Sequence, residues 1–301
     1  MSTEQPPPPP RLTVGVIGVG RAGSVLAAAL RRAGHPVVAA YAVSEVSRLR
    51  ADALLPGVPL VGMDRVFADS NLVLIAVPDD VLPSVVAWVA DQGWIRPGQF
   101  VVHCSGRHGV GVLDPAAQAG ALPMALHPVM TFTGTSLDLD RLSGCPFGVT
   151  APASLETAAS ALVVEMGGEP MLVAEDRRAL YHAAVAHAAN HLVSLVAEAM
   201  DLLGLCGVDE PERMLAPLLG AALDNALASG DQALTGPVAR GDAGTVASHL
   251  TELSAISMRT ASAYRALARL TADRAVASGM LDPAAAVALL AVLADDPGSA
   301  L

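Results

Sequence analysis

The sequence contains no lysine: all 18 of its basic residues are arginine. That excludes a lysine Schiff base and an ammonium general acid, so any proton transfer falls to histidine, tyrosine, cysteine, a carboxyl group or water. Aromatic residues are scarce, 3 % of 301, so a core must be built from alanine, valine and leucine. Charged residues are few at 16 %, and the net charge of −11, with no basic cluster, argues against nucleic acid as a partner. The three cysteines, Cys104, Cys145 and Cys206, are odd in number and widely spaced, with no C-x-x-C, which fits reduced thiols rather than a disulfide framework.

Every apolar run meets Gly, Pro or a charge before it could span a bilayer. The segment 1–10 ends in five consecutive prolines and lacks the basic and apolar regions of a secretion signal. A soluble, cytoplasmic protein with no membrane partner and a disordered proline-rich tail over 1–10 is therefore expected. Over 11–173 short apolar strands alternate with helices, the pattern of an α/β, Rossmann-type, doubly wound parallel sheet. Expected strands include 12–17, 37–41, 58–61 and 71–78. Over 174–301 strand signals stop and helical patterns follow at 177–205, 211–229, 243–268 and 283–293. This half reads as an all-helical substrate and dimerisation domain. Its Ala- and Leu-rich helices carry more apolar surface than one such domain buries, so a homodimer is expected.

The most specific feature is the run from Leu12 to Gly23, an apolar strand leading into G-x-G-x-x-G and then a strong helix former. Gly18 supplies the tight turn, Gly20 lets phosphates approach the backbone, and Gly23 lets the helix pack close to the strand. The helix start at Arg21 and Ala22 offers N–H groups and a partial positive charge. Together these predict a dinucleotide pyrophosphate site. The end of the second strand reads Ala40-Tyr41-Ala42-Val43-Ser44-Glu45, without the acid that would take a ribose 2′-hydroxyl. Ser44 and Arg48 offer donors and positive charge to a 2′-phosphate, so NADP is expected, with Glu45 leaving NAD possible. Val77 and Pro78 would run past the nicotinamide ribose.

Ligands of open α/β sheets sit beyond the carboxyl ends of the strands. Ser105 there could bond a substrate carboxylate or carbonyl, and His127 is placed equally for substrate binding or for structure. His103 reads more readily as a cap. On the helical pattern 177–205, His187, Asn190 and His191 share a face. Polar groups on an alanine-rich helix are costly to bury without partners. His187 and Asn190 are therefore catalytic candidates, His187 as proton donor and Asn190 as the group positioning the substrate; an interhelical hydrogen-bond network is the alternative. The Gly/Pro-punctuated loop 233–245 carries Thr235 and Arg240, the latter suited to a carboxylate clamp or an ion pair, with Asp242 or Thr245 placed to cap the next helix. No metal site is expected: H-E-x-x-H is absent and no third ligand is spaced near His187 and His191.

Segments 18–23, 75–79, 103–106, 127–132 and 234–242 together resemble a bacterial family of Rossmann-like proteins with a helical C-terminal domain of unassigned function, often described as NADP-dependent oxidoreductases. More distantly, the layout is similar to pyrroline-5-carboxylate reductase, ketopantoate reductase and the β-hydroxyacid dehydrogenases. In those groups the C-terminal helices dimerise and the active site lies between the domains. The β-hydroxyacid dehydrogenases carry a catalytic lysine shortly before an asparagine; His187 and Asn190 fall in the matching region, with His in place of Lys. Thr235, Gly236 and Pro237, with Arg240, match loosely the loop by which pyrroline-5-carboxylate reductase holds a carboxylate. The resemblance implies NADP-dependent reduction of a small carboxylate-bearing ketone or imine, with a 2-oxo acid such as ketopantoate favoured. Two other readings stay open: an NADP-binding sensor or scaffold without turnover, motivated by the missing lysine, and a deazaflavin-linked reductase.

Overall fold

The fold, taken from a computed structural model, is described for residues 11–294; the proline-rich segment 1–10 and residues 295–301 lie outside the described residues. The chain divides between Ala189 and Asn190 into two compact units.

The first unit is built on a seven-stranded sheet. In chain order come β1 (Val14–Ile17), α1 (Arg21–Arg32), β2 (Val37–Tyr41), α2 (Glu45–Leu54), α3 (Met63–Asp69), β3 (Leu72–Ile75) and α4 (Leu82–Asp91). There follow β4 (Phe100–His103), α5 (Asp114–Gln118), β5 (Leu122–Pro128), α6 (Leu137–Arg141), β6 (Pro146–Thr150), α7 (Glu156–Glu165) and β7 (Glu169–Leu172). The strand order is β2-β1-β3-β4-β5-β6-β7. The short strands alternate between two apolar layers because successive side chains point to opposite faces. Val14, Val16, Leu72 and Leu74 join one core with α1, α2 and α7. Ile17, Val73 and Ile75 join the other with α3 and α4. Burial on both faces is what the continuous apolar runs in the sequence encode.

Two details depart from expectation. The apolar stretch 58–61 forms only a single bridge, Leu60 to Ala40, where a strand was expected. Pro56, Gly57 and Pro59 interrupt it, and a proline has no N–H for a ladder. The sheet is parallel from β2 through β5, but β6 runs antiparallel to β5, with His127 opposite Gly148. β7 is again parallel to β6.

The helix α8 (Arg178–Leu205) begins in the first unit and ends in the second. With the turn before it, Glu175–Leu205 is long and apolar enough, by length and composition, to cross a membrane, which the interrupted apolar runs had argued against. Its first turns instead carry charged and polar side chains bonded to the sheet unit, as described below.

The second unit continues with α9 (Pro211–Ser229), α10 (Gly236–Ala239), α11 (Ala243–Ile256), α12 (Met258–Ala277) and α13 (Pro283–Val292). The expected single helix over 243–268 is broken at Ser257, whose backbone is extended and whose hydroxyl accepts the Thr260 N–H to start α12. Asp242 caps α11 by accepting from the Thr245 N–H, the capping role read for it. Alanines fill the core here: Ala268, Ala272, Ala275 and Ala286 pack with Val246, Leu250 and Leu289. No residue of α9 is buried.

Phe147 on β6 is fully buried and is among the few aromatic side chains of the core. Phe147→Ala is expected to destabilise the sheet unit by about 3–5 kcal/mol, read as a lowered urea midpoint in the transition of that unit.

Candidate functional site at the carboxyl edge of the sheet

The parallel strands bring the ends of β1, β3, β4 and β5 to one edge of the sheet. Beyond β1, Gly18 has φ +91°, a conformation open to glycine at little cost, and a Cβ there would lie 2.5 Å from the Ala76 carbonyl oxygen. Gly23 packs so closely that a Cβ would collide with the Gly18 carbonyl and with Ala76. Above Gly20 nothing lies within 4 Å. Gly20 is also the N-cap of α1 and supplies no side-chain cap, so the first-turn N–H groups are left for a ligand. The glycines thus do three separate things: turn, approach and close packing.

A cleft of about 390 Å³ opens here, lined by Gly18, Val19, Gly20, Tyr41, Ser44, Ser47, Val77 and Pro78 among others. Ser44 caps α2, accepting the Ser47 N–H at 3.2 Å. Arg48 lies exposed one turn further along α2, and Arg21 is exposed at the start of α1. Arg21 and Arg50 both pack against Gly134, in the loop following β5. No acid stands at the end of β2. The hydroxyls of Ser44 and Ser47 and the Arg48 guanidinium are donors beside the end of β2, with Glu45 next to them, so the residues present fit NADP and leave NAD possible.

Further along the same edge lies a second cluster. His103, at the end of β4, is fully buried. Its Nδ1 accepts from the Ser105 N–H at 3.1 Å and its Nε2 donates to the Gly109 carbonyl at 2.8 Å, which fixes a neutral tautomer and the loop 105–109. This is the capping role. The Ser105 hydroxyl accepts from the His108 N–H at 3.1 Å, so the side chain expected on a substrate is engaged in this loop. Burial pushes the neighbouring Cys104 thiol up to about 12, so it carries no thiolate at neutral pH.

Arg178, the first residue of α8, is 1 % exposed. Its guanidinium donates to three carbonyls: His108 at 3.0 Å, Gly148 at 3.0 Å and Ser105 at 2.6 Å. One turn on, the Tyr181 hydroxyl bonds the Nδ1 of His127 at 2.7 Å, and its ring lies 5.3 Å below the guanidinium. His182 stands edge-on to His127, 6.0 Å between centroids. Burial, helped by Arg178 and His182 and opposed by Asp79, lowers the His127 pKa to about 4. Burial likewise lowers His103 to about 4.

The structure therefore gathers His127 and Ser105 with three side chains to which the sequence assigned no role, Arg178, Tyr181 and His182. The signal was present: positions 178, 181 and 182 share one helical face. His187 lies nine residues past Arg178, roughly 180° around the helix, and is exposed, as is Asn190. Thr235 lines a separate cavity of about 400 Å³ within the helical unit, with Glu198, His249 and Tyr264. Arg240 is exposed at the end of α10. Among the described residues, no group of three or more His, Cys, Asp or Glu could hold a metal ion.

Comparison with known proteins agrees with this layout. Residues 2–128 match the family model described as a Rossmann-like domain, and residues 145–271 match the one described as a domain of unknown function, DUF2520. A glycerol-3-phosphate dehydrogenase [NAD(P)+] of Bradyrhizobium sp. (strain BTAi1) is 34 % identical over 168 residues, 52 % of this chain and 50 % of that enzyme. The chain thus spans about half the length of the curated relatives it matches. Among solved structures, the Bacteroides fragilis protein BF3122, named for a suggested NADP oxidoreductase activity, superposes with TM-score 0.71 at 21 % identity, covering 87 % of this chain and 98 % of that one. An imine reductase from Pseudomonas sp. gives 0.60 at 20 %, covering 95 % and 100 %. The NADP-bound pyrroline carboxylate reductase of Plasmodium falciparum gives 0.54 at 11 %, covering 88 % and 98 %. At these identities the structural likeness is one of fold.

His103 and His127 have pKa values near 4 in the fold against about 6.5 when unfolded. Between those values the unfolded chain holds more protons, so stability falls as pH drops from about 6.5 to 4 and levels off below. For two such histidines the slope is at most about 2.7 kcal/mol per pH unit. Urea midpoints measured from pH 7.5 to 4.5 should show this fall, and His103→Gln should flatten it; equal midpoints at pH 7 and 5 would contradict the buried neutral rings.

Proposed function

We propose that this chain is an NADP-dependent oxidoreductase acting on a small carboxylate-bearing ketone or imine, a 2-oxo acid of the ketopantoate kind being the favoured substrate. The observation that carries the reading is the open approach above Gly20, between a positive-φ turn at Gly18 and a helix packed through Gly23. That cradle suits a pyrophosphate held by Gly18, Gly20, Arg21, Ala22 and Gly23, with Val77 and Pro78 beside the nicotinamide ribose. Ser44 and Arg48 are assigned to the 2′-phosphate. NADPH, when bound, supplies hydride; the protein supplies orientation and a path for the proton. The fold shared with proteins named for imine and pyrroline carboxylate reduction supports the substrate class. Ser105 and His127 stand at the sheet edge where such a substrate would meet the nicotinamide. The reading needs none of His187, Asn190, Thr235 and Arg240 at the reacting atoms.

The same reading includes a homodimer through the helical unit. Val193, Leu205, Leu218 and Leu227 are 70, 68, 64 and 79 % exposed on α8 and α9, apolar side chains spread around both helices that a second copy of the chain would cover. Light scattering should give twice the chain mass, and Leu218→Glu with Leu227→Glu should give monomer; a wild-type monomer at micromolar concentration would exclude the dimer.

Fluorescence titration with both reduced nicotinamides tests the cofactor. NADPH should bind more tightly than NADH. Arg48→Ala should weaken NADPH about tenfold, the loss of one charge-assisted contact at an exposed site, and leave NADH nearly unchanged. Gly18→Val should abolish both. No binding of either nucleotide at millimolar concentration sinks the reading.

A further inference from the structure

We propose that His127 is the proton-handling residue of this site, its ring held by the Tyr181 hydroxyl at the carboxyl edge of the sheet. The proposal rests on the dinucleotide reading above and goes beyond it by naming the group that exchanges a proton with substrate.

Geometry carries it. His127 stands at the end of β5, one strand from β4 and two from β3, on the edge that holds the cleft beyond β1. The 2.7 Å bond from Tyr181 to Nδ1 fixes the ring's tilt and leaves Nε2 at its far end. A Cβ on Gly106 would lie 2.8 Å from that Nε2, 2.9 Å from Cε1 and 2.6 Å from Cδ2 of His182. The missing side chain at Gly106 is thus what admits the His127 and His182 rings, which pack against its backbone. Gly148 makes the same kind of room for the Tyr181 hydroxyl, 2.5 Å from where its Cβ would be. Two glycines, one in the loop after β4 and one on β6, give way to one histidine–tyrosine pair.

The charges around the ring set the chemistry. Arg178, Tyr181 and His182 face it from α8, and Asp79 acts on it from the loop after β3. The fixed guanidinium and the burial hold the imidazole neutral at neutral pH. A neutral imidazole whose Nδ1–H donates to Tyr181 presents a lone pair at Nε2. In the oxidative direction that lone pair takes the proton of a substrate hydroxyl or amine. The O–H (or N–H) electron pair becomes the new C=O (or C=N) π bond, as the C–H pair leaves as hydride to the oxidised nicotinamide. In reduction the same atoms run backwards, and the imidazolium gives its Nε2 proton to the oxygen or nitrogen. Tyr181 is a positioning residue in both directions.

The test uses the full chain labelled with ¹⁵N-histidine, assigned through His127→Asn, with NADP⁺ and NADPH as probes. Expected are a His127 ring neutral above about pH 5, and an Nε2 resonance that moves on adding NADP⁺ while the His249 ring in the helical unit stays. Tyr181→Phe should move the Nδ1 resonance. His127→Asn should keep NADPH affinity within about threefold and lose roughly 10²–10⁴ of NADPH oxidation on a panel of 2-oxo acids and cyclic imines. Wild-type reduction should accelerate as pH falls from 8 to 5. A His127 ring that titrates near the ordinary value, ring resonances unmoved by saturating nucleotide, or a His127→Asn variant with full turnover would each overturn the proposal. Should no panel member turn over, the ring response decides. Failure of NADPH to bind is a different result, and overturns the reading on which the proposal rests.

Discussion

The sheet-edge site hangs on one buried cation. Arg178 is enclosed, yet among the described residues no carboxylate pairs with it; its charge is met by the carbonyls of Ser105, His108 and Gly148. Moving a guanidinium out of water is costly unless strong acceptors replace the solvent. Three peptide oxygens do so, two from the loop after β4 and one from the middle of β6. The guanidinium therefore ties that loop, already shaped by His103, to a strand two places away in the sheet. Once the cation is in place, the first turn of α8 is fixed too, and with it Tyr181 and His182 against His127. Removing the side chain would strand three carbonyls and loosen the loop, which is a larger loss than any single contact suggests.

The absence of lysine gains meaning beside this arrangement. A lysine in the same place would itself be a proton donor and would titrate when buried. Arginine stays charged, so here it acts as a constant field. The group that can change protonation is the imidazole, and the field biases that group toward its neutral form. Positive charge and proton exchange are therefore divided between two residues, one at the start of α8 and one at the end of β5.

What the sequence disclosed, and what it withheld, follows from range. The strand, turn and helix around Gly18, Gly20 and Gly23 form a contiguous unit, each glycine answering a neighbour within the motif or on the adjacent strand, and its role could be read directly. The helical half was equally legible as a class, because alanine and leucine dominate it and strand signals stop. Its breaks were not: Ser257 reads as an ordinary helix residue until its hydroxyl is seen capping α12. The stretch 58–61 is apolar enough for a strand but loses its ladder to the prolines around it. His187 and Asn190 drew notice because polar residues stand out on an alanine-rich helix. Arg178, Tyr181 and His182 did not, since their meaning lies on β4, β5 and β6, as far as 73 residues away.

The two glycines of that cluster complete the logic. Gly106 and Gly148 are not among the glycines with positive φ, so turn geometry does not explain them. Their reason is the volume of someone else's side chain. A methyl at Gly148 would press on the Tyr181 hydroxyl, and a methyl at Gly106 would collide with the Nε2 edge of His127 and with His182. Interiors are packed too closely to absorb such an overlap, so a larger residue at either place would push the histidine–tyrosine pair apart. The two glycines thus serve the 2.7 Å bond that fixes Nδ1, and with it the direction in which the opposite nitrogen points.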